Sequence, residues 1–184
     1  MIILVDQDQV LADYEGGFLR LWKQIYPDRI AVPLEQRLGR KIIDSYPEEY
    51  YDDVMALQWA EGFYRSLPPL KKNIEVVKEM HSAGHQVYIC TSPKTSNPYC
   101  ETEKRAWAVE HLGPEWQRRM IITKDKTFVR GHILIDDKPE VTGICQPTWT
   151  HLLARTWYNR DINKPAMDWN NWEECVEPYK LNLI

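Results

Sequence analysis

The chain has 184 residues, with 27 acidic against 23 basic side chains and a formal net charge of −4. This length fits one domain of ordinary size with a core of its own. The basic residues are scattered, which argues against a protein that binds duplex nucleic acid through a basic stripe and favours a small-molecule partner. The apolar run at the N-terminus meets Asp6 after five residues, so it is too short for a signal peptide or a membrane helix.

The cysteine pattern indicates a reduced protein. Four cysteines are present without a Cys-x-x-Cys pair, and Cys90 lies inside an apolar, strand-like run. Neither a disulfide framework nor a zinc site is expected from this spacing. We therefore predict a cytoplasmic location.

The first predicted element is a short strand that ends in acid groups. Its residues, Ile2–Val5, are apolar and run directly into Asp6 and Asp8. A continuous apolar run of this kind is typical of a parallel sheet that is buried on both faces. Ligands of such sheets bind at the carboxyl ends of the strands. An acidic turn that only faces solvent would give the same pattern, so this stretch alone does not decide the function.

A helical region is predicted next. Apolar residues between Phe18 and Ile25 recur at helical spacing, and Pro27 ends the pattern. Further short helices are predicted, one starting near Leu34 and another over 48–61, with no strand-like run among them. A helical stretch of this size, placed between two strands, is expected to cover the edge of the sheet.

The rest of the chain alternates between helices and strands. Asn73 is expected to cap the next helix and Gly84 to end it in the left-handed conformation. Helices are predicted over 73–83, 102–112 and 171–176, and strands over 86–90, 120–123, 132–135 and 150–154.

This alternation predicts an α/β fold with a Rossmann-like, doubly wound parallel sheet. We expect residues 1–15 and 72–184 to form the α/β core. Residues 16–71 are expected to form a small helical cap inserted after strand one, within a single structural unit.

Polar groups follow four of the predicted strands, and their chemistry is complementary. In a parallel sheet these four strand ends lie along one edge. One polar strand end is expected by chance, because strands end in polar turns, but four ends with acids, hydroxyls and ammonium groups are not. The four pairs are Asp6 and Asp8, Thr91 and Ser92, Lys124 and Lys126, and Asp136 and Asp137.

This set suits phosphoryl transfer to a carboxylate. A phosphate monoester is a dianion, so a carboxylate can approach it only if cations offset both charges. Asp6, Asp136 and a main-chain carbonyl near Asp8 would bind Mg²⁺, and Lys126 would add a fixed positive charge.

Hydroxyl or backbone N–H groups of Thr91 and Ser92 are placed to bind phosphate oxygens. With Ser92 as N-cap and Pro93 at the first helical position, a helix N-terminus would also point at the anion.

The order of these motifs resembles the four motifs of the haloacid dehalogenase superfamily. Within it the chain is most similar, over nearly its full length, to the 5′(3′)-deoxyribonucleotidases. The matching segments are Val5–Leu19, Pro33–Arg37, Ile89–Pro93, Glu103–Trp107, His111–Pro114, Asp125–Thr127, Leu134–Asp137 and Trp149–His151.

The resemblance implies a role for each motif residue. Asp6 would be the nucleophile that forms an aspartyl-phosphate, and Asp8 the general acid that later activates water. Thr91 and Lys126 would hold the phosphoryl group. Asp136 would bind Mg²⁺ and Asp137 would orient a metal-bound water, so the expected metal site comprises Asp6, Asp8, Asp136 and Asp137. The resemblance also implies a homodimer.

The sequence departs from the family at three places. Gln9 stands where the family commonly has glycine, Arg40 and Lys41 replace an aromatic pair of the nucleobase pocket, and Lys124 replaces an arginine. Tyr14, Trp59, Phe63 and Tyr64 could supply a stacking wall or could equally be core residues of the cap. The predicted substrate-binding residues are Tyr14, Arg40, Lys41, Trp59, Phe63, Lys104 and Lys124.

Three functions are compatible with these features. The first is a Mg²⁺-dependent phosphatase of nucleoside monophosphates, preferring deoxyribonucleotides such as dUMP or dTMP. The second, suggested by Arg40 and Lys41, is a phosphatase of another small phosphorylated metabolite. The third is a non-catalytic module such as a receiver domain or a nucleotide sensor, which the motif order and the complete set of catalytic groups disfavour.

Overall fold

The computed structural model describes residues 1–183, which form an α/β fold around one five-stranded sheet. Every strand pair is parallel, and the spatial order is β3-β2-β1-β4-β5. The strands are β1 Ile2–Val5, β2 Gln86–Thr91, β3 Met120–Ile122, β4 Ile133–Asp136 and β5 Thr150–Leu153. The chain builds outward from β1 in one direction and then in the other, so β1 lies at the centre, where ligands of such sheets bind. The predicted fold class is confirmed.

The central strand is buried on both faces, as its uninterrupted apolar sequence predicts. Ile3 and Val5 belong to the larger apolar cluster of the protein, which also takes in residues from all of the α-helices. Leu4 points to the opposite face and packs in a smaller cluster with Leu134 and Trp149. This alternation follows from the two-residue period of a strand.

The helices are α1 Tyr14–Ile25, α2 Tyr51–Trp59, α3 Lys71–Ser82, α4 Cys100–Leu112 and α5 Trp172–Val176. Asp13 caps α1 by accepting a hydrogen bond from the Gly16 N–H. Gly84, just after α3, has a φ of 91°, as predicted for a left-handed stop. None of the helices in the described part of the chain has the length and apolar character that a membrane crossing requires.

The region predicted as a cap consists of α1, α2 and short 3₁₀ segments at Leu34–Gln36, Ile42–Ser45 and Glu48–Tyr50. Its apolar residues Trp22 and Tyr46 lie in the same cluster as Ile3 of the sheet. The division into core and cap remains a prediction.

Helix α4 holds the end of this region through buried contacts. The Glu103 carboxylate accepts hydrogen bonds from the backbone N–H groups of Gly62 at 2.5 Å and Tyr64 at 3.0 Å. One turn further, the Trp107 indole N–H donates to the carbonyl of Leu67 at 2.8 Å. These contacts join residues 62–67 to α4, the helix that connects β2 to β3 along the chain.

The predicted cap of α3 was wrong. The helix begins at Lys71, so Asn73 lies inside its first turn. The Asn73 side chain instead donates to the carbonyl of Val10 at 2.7 Å, which ties α3 to the loop after β1.

The predicted helix start at Ser92 and Pro93 was also wrong. Strand β2 ends at Thr91, and helix α4 does not begin until Cys100. Asn97 supplies the hydrogen-bond acceptor at the start of the helix. Its side-chain oxygen accepts from the N–H groups of Tyr99 at 2.8 Å and Cys100 at 3.2 Å. No helix N-terminus therefore begins at Ser92.

Candidate active site

The four predicted strand ends meet at one cavity of about 520 Å³. Asp6 and Asp8 follow β1, Thr91 ends β2, Lys124 follows β3 and Asp137 follows β4. All of these side chains, together with Ser92, line the cavity. The parallel sheet thus gathers the residues because it aligns the carboxyl ends of its strands.

Lys126 lies between two of the buried carboxylates. Its ammonium nitrogen is 3.0 Å from Asp6 Oδ1 and 2.5 Å from Asp136 Oδ2. Burial alone would raise the pKa of Asp6, but the charges of Lys126, Lys138 and Lys104 lower it to about 2. Asp6 is therefore ionised at neutral pH, as a carboxylate nucleophile must be.

Asp8 has a different environment, although it is only two positions away. Its Oδ2 atom lies 2.9 Å from the ammonium nitrogen of Lys104, a residue that is 1% exposed. Lys104 also donates to Thr91 Oγ1 at 2.8 Å and to the carbonyl of Ser92 at 2.9 Å. Burial raises the pKa of Asp8, and the negative charge of Asp6 adds to this effect against the opposing charge of Lys104.

The two aspartates therefore differ in their affinity for a proton. Asp6 holds its proton less tightly than an ordinary aspartic acid, and Asp8 holds its proton more tightly. Two carboxyl groups whose pKa values are pushed apart by their surroundings can serve as an anion and an acid in the same site.

Three acid groups could hold a metal ion. One carboxylate oxygen each from Asp6, Asp136 and Asp137 lies within 4.8 Å of the other two, and all three residues are buried. Burial and the charges of Asp6 and Asp136 hold the pKa of Asp137 well above its usual range. Three carboxylate oxygens that are close enough to bind one ion fit a hard divalent cation such as Mg²⁺. The carboxylate of Asp8 is not part of this group, and a ligand role for its main-chain carbonyl remains a prediction.

The loop after β1 contains an unusual backbone conformation at Gln9. Its φ is 60°, in the left-handed region, and among the described residues it is the only non-glycine residue with a positive φ. The side-chain oxygen of Gln9 accepts a hydrogen bond from the N–H of Glu15 at 3.0 Å. Gln9 thus keeps the conformation that suits glycine and adds a contact to the first turn of α1.

The predicted substrate-binding residues fall into two groups. Tyr14, Arg40, Lys41 and Lys124 line the cavity, as does Tyr64.

The remaining three, Trp59, Phe63 and Lys104, do not line the cavity. Phe63 is buried edge-on against Tyr14, with ring centroids 5.4 Å apart. The ring of Trp59 lies under the ammonium group of Lys94, and Lys104 contacts Asp8. A contact of any of these side chains with substrate remains a prediction.

Several lining residues were not among the predicted ones. Lys94 and Lys138 add positive charge to the cavity, and Ile42 and Met55 add an apolar wall. Lys138 directly follows the Asp136-Asp137 pair, and Lys94 follows Ser92 by two positions. Proximity to the strand ends could have identified these two lysines.

Known proteins match this chain over nearly its full length. The model of the family 5′ nucleotidase, deoxy (pyrimidine), cytosolic type C matches residues 1–181. A protein of Bordetella pertussis is 41% identical over 177 residues, which cover 96% of this chain and 95% of the relative. The human cytosolic-type 5′(3′)-deoxyribonucleotidase is 39% identical over 186 aligned residues, covering 95% of this chain and 92% of the relative.

A similar fold is found in a crystal structure of a haloacid dehalogenase family hydrolase from Deinococcus radiodurans, which contains bound phosphate and sodium. The TM-score is 0.61 at 13% sequence identity, and the match covers 98% of this chain and 96% of the other. At that identity the likeness concerns the fold. The family match and the two relatives show that the chain belongs to the 5′ nucleotidase, deoxy (pyrimidine), cytosolic type C family, whose enzymes hydrolyse phosphate monoesters.

Proposed function

We propose that this enzyme hydrolyses deoxyribonucleoside monophosphates, with dUMP and dTMP as representative substrates, through an aspartyl-phosphate on Asp6 with the help of Mg²⁺. The observation that carries the proposal is the contrast between Asp6 and Asp8, which line the same cavity. The surroundings of Asp6 favour its ionised form, whereas those of Asp8 favour its protonated form. Family membership supports the substrate class.

In the first step, the Asp6 carboxylate would attack the phosphorus atom while Thr91 and Lys126 bind phosphate oxygens. The bond between phosphorus and the sugar oxygen breaks, and Asp8 donates its proton to that oxygen. Lys104 bridges Asp8 and Thr91, so it sets the position of the acid relative to the phosphate site. The alcohol leaves and Asp6 carries the phosphoryl group.

In the second step, Asp8 is an anion and would accept a proton from an attacking water. The water oxygen forms a bond to phosphorus, the bond to the Asp6 oxygen breaks, and inorganic phosphate is released. Both aspartates then return to their starting protonation states. One carboxyl group can serve both steps because the second proton transfer reverses the first.

Asp6, Asp136 and Asp137 would hold Mg²⁺, since their oxygen atoms form the compact acidic group of the site. When bound, the cation supplies positive charge that offsets the repulsion between the phosphate and the carboxylates. Lys126 contributes a fixed positive charge between Asp6 and Asp136.

The test is phosphate release from a panel of 5′- and 3′-monophosphates, deoxy and ribo, with Mg²⁺ or with excess chelator. We expect deoxyribonucleotides to be hydrolysed, chelator to abolish the reaction, and Asp6→Asn to eliminate it. Robust hydrolysis by Asp6→Asn would refute the nucleophilic role.

A second candidate is a phosphatase of another small phosphorylated metabolite. Arg40 and Lys41 favour it, because both line the cavity where the family commonly has aromatic residues. Non-nucleotide esters that are hydrolysed faster than every deoxyribonucleotide would support this alternative.

A cytoplasmic location and a homodimer also remain predictions. The name of the human cytosolic-type relative supports the first, and the family resemblance alone supports the second.

A further inference from the structure

Asn159 is a buried residue that joins the ends of two neighbouring strands. Its side-chain nitrogen donates hydrogen bonds to the carbonyls of Asp137 and Ala154, both at 2.8 Å. Its side-chain oxygen accepts from the Thr156 N–H at 2.8 Å. Because carbonyls only accept and a backbone N–H only donates, this orientation of the amide is the one that satisfies all three partners. Asn159 is 0% exposed, so water does not compete for these bonds.

The two carbonyls that Asn159 binds lie directly beyond the sheet. Strand β4 ends at Asp136 and strand β5 at Leu153, and the Ala154 N–H donates to the Asp136 carbonyl at 2.9 Å. Asp137 lies one residue past this bond. The Asn159 amide therefore takes the place of a further strand donor and holds the Asp137 backbone to the end of β5.

Asp137 differs from the other two members of the acidic group in what holds its side chain. The ammonium group of Lys126 lies 3.0 Å from Asp6 Oδ1 and 2.5 Å from Asp136 Oδ2. No ion pair within residues 1–183 includes Asp137. The position of its carboxylate therefore depends on the position of its main chain, which Asn159 fixes.

The loop that carries Asn159 is folded around the guanidinium of Arg155. That group donates to the carbonyls of Asn159 at 3.0 Å and Lys164 at 3.1 Å. The Lys164 ammonium group in turn donates to the carbonyl of Pro139, two residues after Asp137, at 2.5 Å. The loop thus contacts the segment after β4 at two points, and its conformation is coupled to that of Asp137.

We propose that Asn159 is a positioning residue that places the Asp137 carboxylate in the metal site. The inference rests on the proposed function, because it takes Asp6, Asp136 and Asp137 to hold the cation. Without Asn159 the Asp137 main chain loses its partner, and the three carboxylate oxygens are no longer held within 4.8 Å of one another. Residues that orient metal ligands in this way typically contribute about 10- to 100-fold in metal affinity.

The test is direct binding of Mn²⁺ without nucleotide, measured by its electron paramagnetic resonance signal. Mn²⁺ serves as a probe because it binds to oxygen ligands as Mg²⁺ does. We expect Asn159→Ala to weaken Mn²⁺ binding by about tenfold or more. Asn97→Ala is the matched control, because Asn97 is also buried and its side chain also binds the backbone, at the start of α4. It should lose stability in urea unfolding as Asn159→Ala does, and it should keep the wild-type affinity for Mn²⁺.

A measurement on the wild-type protein covers the case in which Asn159→Ala does not fold. The side-chain amide signal of Asn159 in NMR spectra should shift when Mg²⁺ is added, because its partner Asp137 then binds the ion. The corresponding signal of Asn97 should stay in place.

An unchanged Mn²⁺ affinity in Asn159→Ala, an equal loss in Asn97→Ala, or an Asn159 amide signal that Mg²⁺ does not shift would overturn the inference. The proposed function fails separately. Mn²⁺ binding that depends on Asn159, without turnover of any deoxyribonucleotide by the wild-type enzyme, would refute the proposed function and keep the positioning role. Mg²⁺-dependent turnover of dTMP, together with full Mn²⁺ affinity in Asn159→Ala, would refute the positioning role alone.

Discussion

The buried ammonium group of Lys104 lies 2.9 Å from Asp8 Oδ2, which connects the expected general acid to the hydroxyl of Thr91 on the next strand. We infer that Lys104 is a positioning residue, because it contacts Asp8 and Thr91 but does not line the cavity. We expect Lys104→Met to lower kcat by on the order of 10²-fold, the scale associated with small misplacements of catalytic groups.

A change in pH dependence would distinguish this role from a purely structural one. Lys104 lowers the pKa of Asp8, so its loss should raise that pKa further above the ordinary value. If Asp8 activates water as proposed, it must be an anion in that step, so the acidic decline of kcat should move to higher pH. Lys78→Met, which changes an exposed lysine of α3, should leave the profile in place. An unchanged profile in Lys104→Met would contradict the proposed contact.

A second prediction concerns the carboxylate of Glu103, which accepts backbone hydrogen bonds from Gly62 and Tyr64. Glu103→Gln replaces one acceptor oxygen with an amide donor that faces the same N–H groups. We expect the free energy of unfolding to fall by about 1–3 kcal/mol, the cost of leaving buried polar groups unsatisfied. Urea unfolding measures this difference. Glu101→Gln, an exposed change on the same helix, is the control, and equal stability of the two variants would refute the anchoring role.

The third prediction compares two variants of Gln9, whose φ is 60°. Both Gln9→Gly and Gln9→Ala lose the hydrogen bond to the Glu15 N–H. Only alanine retains a Cβ in the left-handed conformation, so the alanine variant should be less stable than the glycine variant by about 1 kcal/mol. Thermal and urea unfolding of the pair measure the difference. An alanine variant that is as stable as the glycine variant would mean that the loop does not hold this conformation in solution.

The fourth prediction concerns Gly143, whose backbone passes close to Asp125. A Cβ atom on Gly143 would lie 1.8 Å from Asp125 Oδ1, the atom that accepts from the Thr127 N–H at 2.9 Å. Gly143→Ala should therefore displace the loop that carries Lys126, with a loss of about 1–3 kcal/mol in stability as expected for overpacking, together with a lower kcat.

Gly39→Ala is the matched control for stability, since its Cβ would meet only Asp44 Oδ2 at 3.5 Å, an ordinary contact. It should stay within about 0.5 kcal/mol of the wild-type protein. If Gly143→Ala were equally harmless, the contact between the two loops would not constrain the site.

Much of the candidate site could be predicted from the sequence because strand ends are local signals. Asp6 and Asp136 each follow an apolar run, and a parallel sheet must bring such ends together. Local sequence also led to the incorrect prediction of a helix start at Ser92. A Ser-Pro pair suits a helix N-terminus, but here it opens a loop that continues until α4 begins at Cys100, where the Asn97 side chain accepts hydrogen bonds from the first N–H groups.

The contacts of Lys104 could not be predicted, because they join residues that are distant in the chain. Its sequence neighbours indicate only a helix, and the pairing with Asp8 depends on how that helix packs against the sheet. The same limit applies to Lys94, whose position over Trp59 depends on the packing of α2 against the loop after β2.

The most direct test of the central claim is the detection of a phosphoryl group on Asp6 during turnover. Wild-type enzyme with Mg²⁺ would be quenched in acid while it hydrolyses labelled dTMP, and the digested protein would be mapped by mass spectrometry. We expect a hydroxylamine-sensitive phosphoryl group on the peptide that contains Asp6, and none in Asp6→Asn. Steady hydrolysis of dTMP with no phosphorylated enzyme at any time, or with the phosphoryl group on another residue, would contradict it.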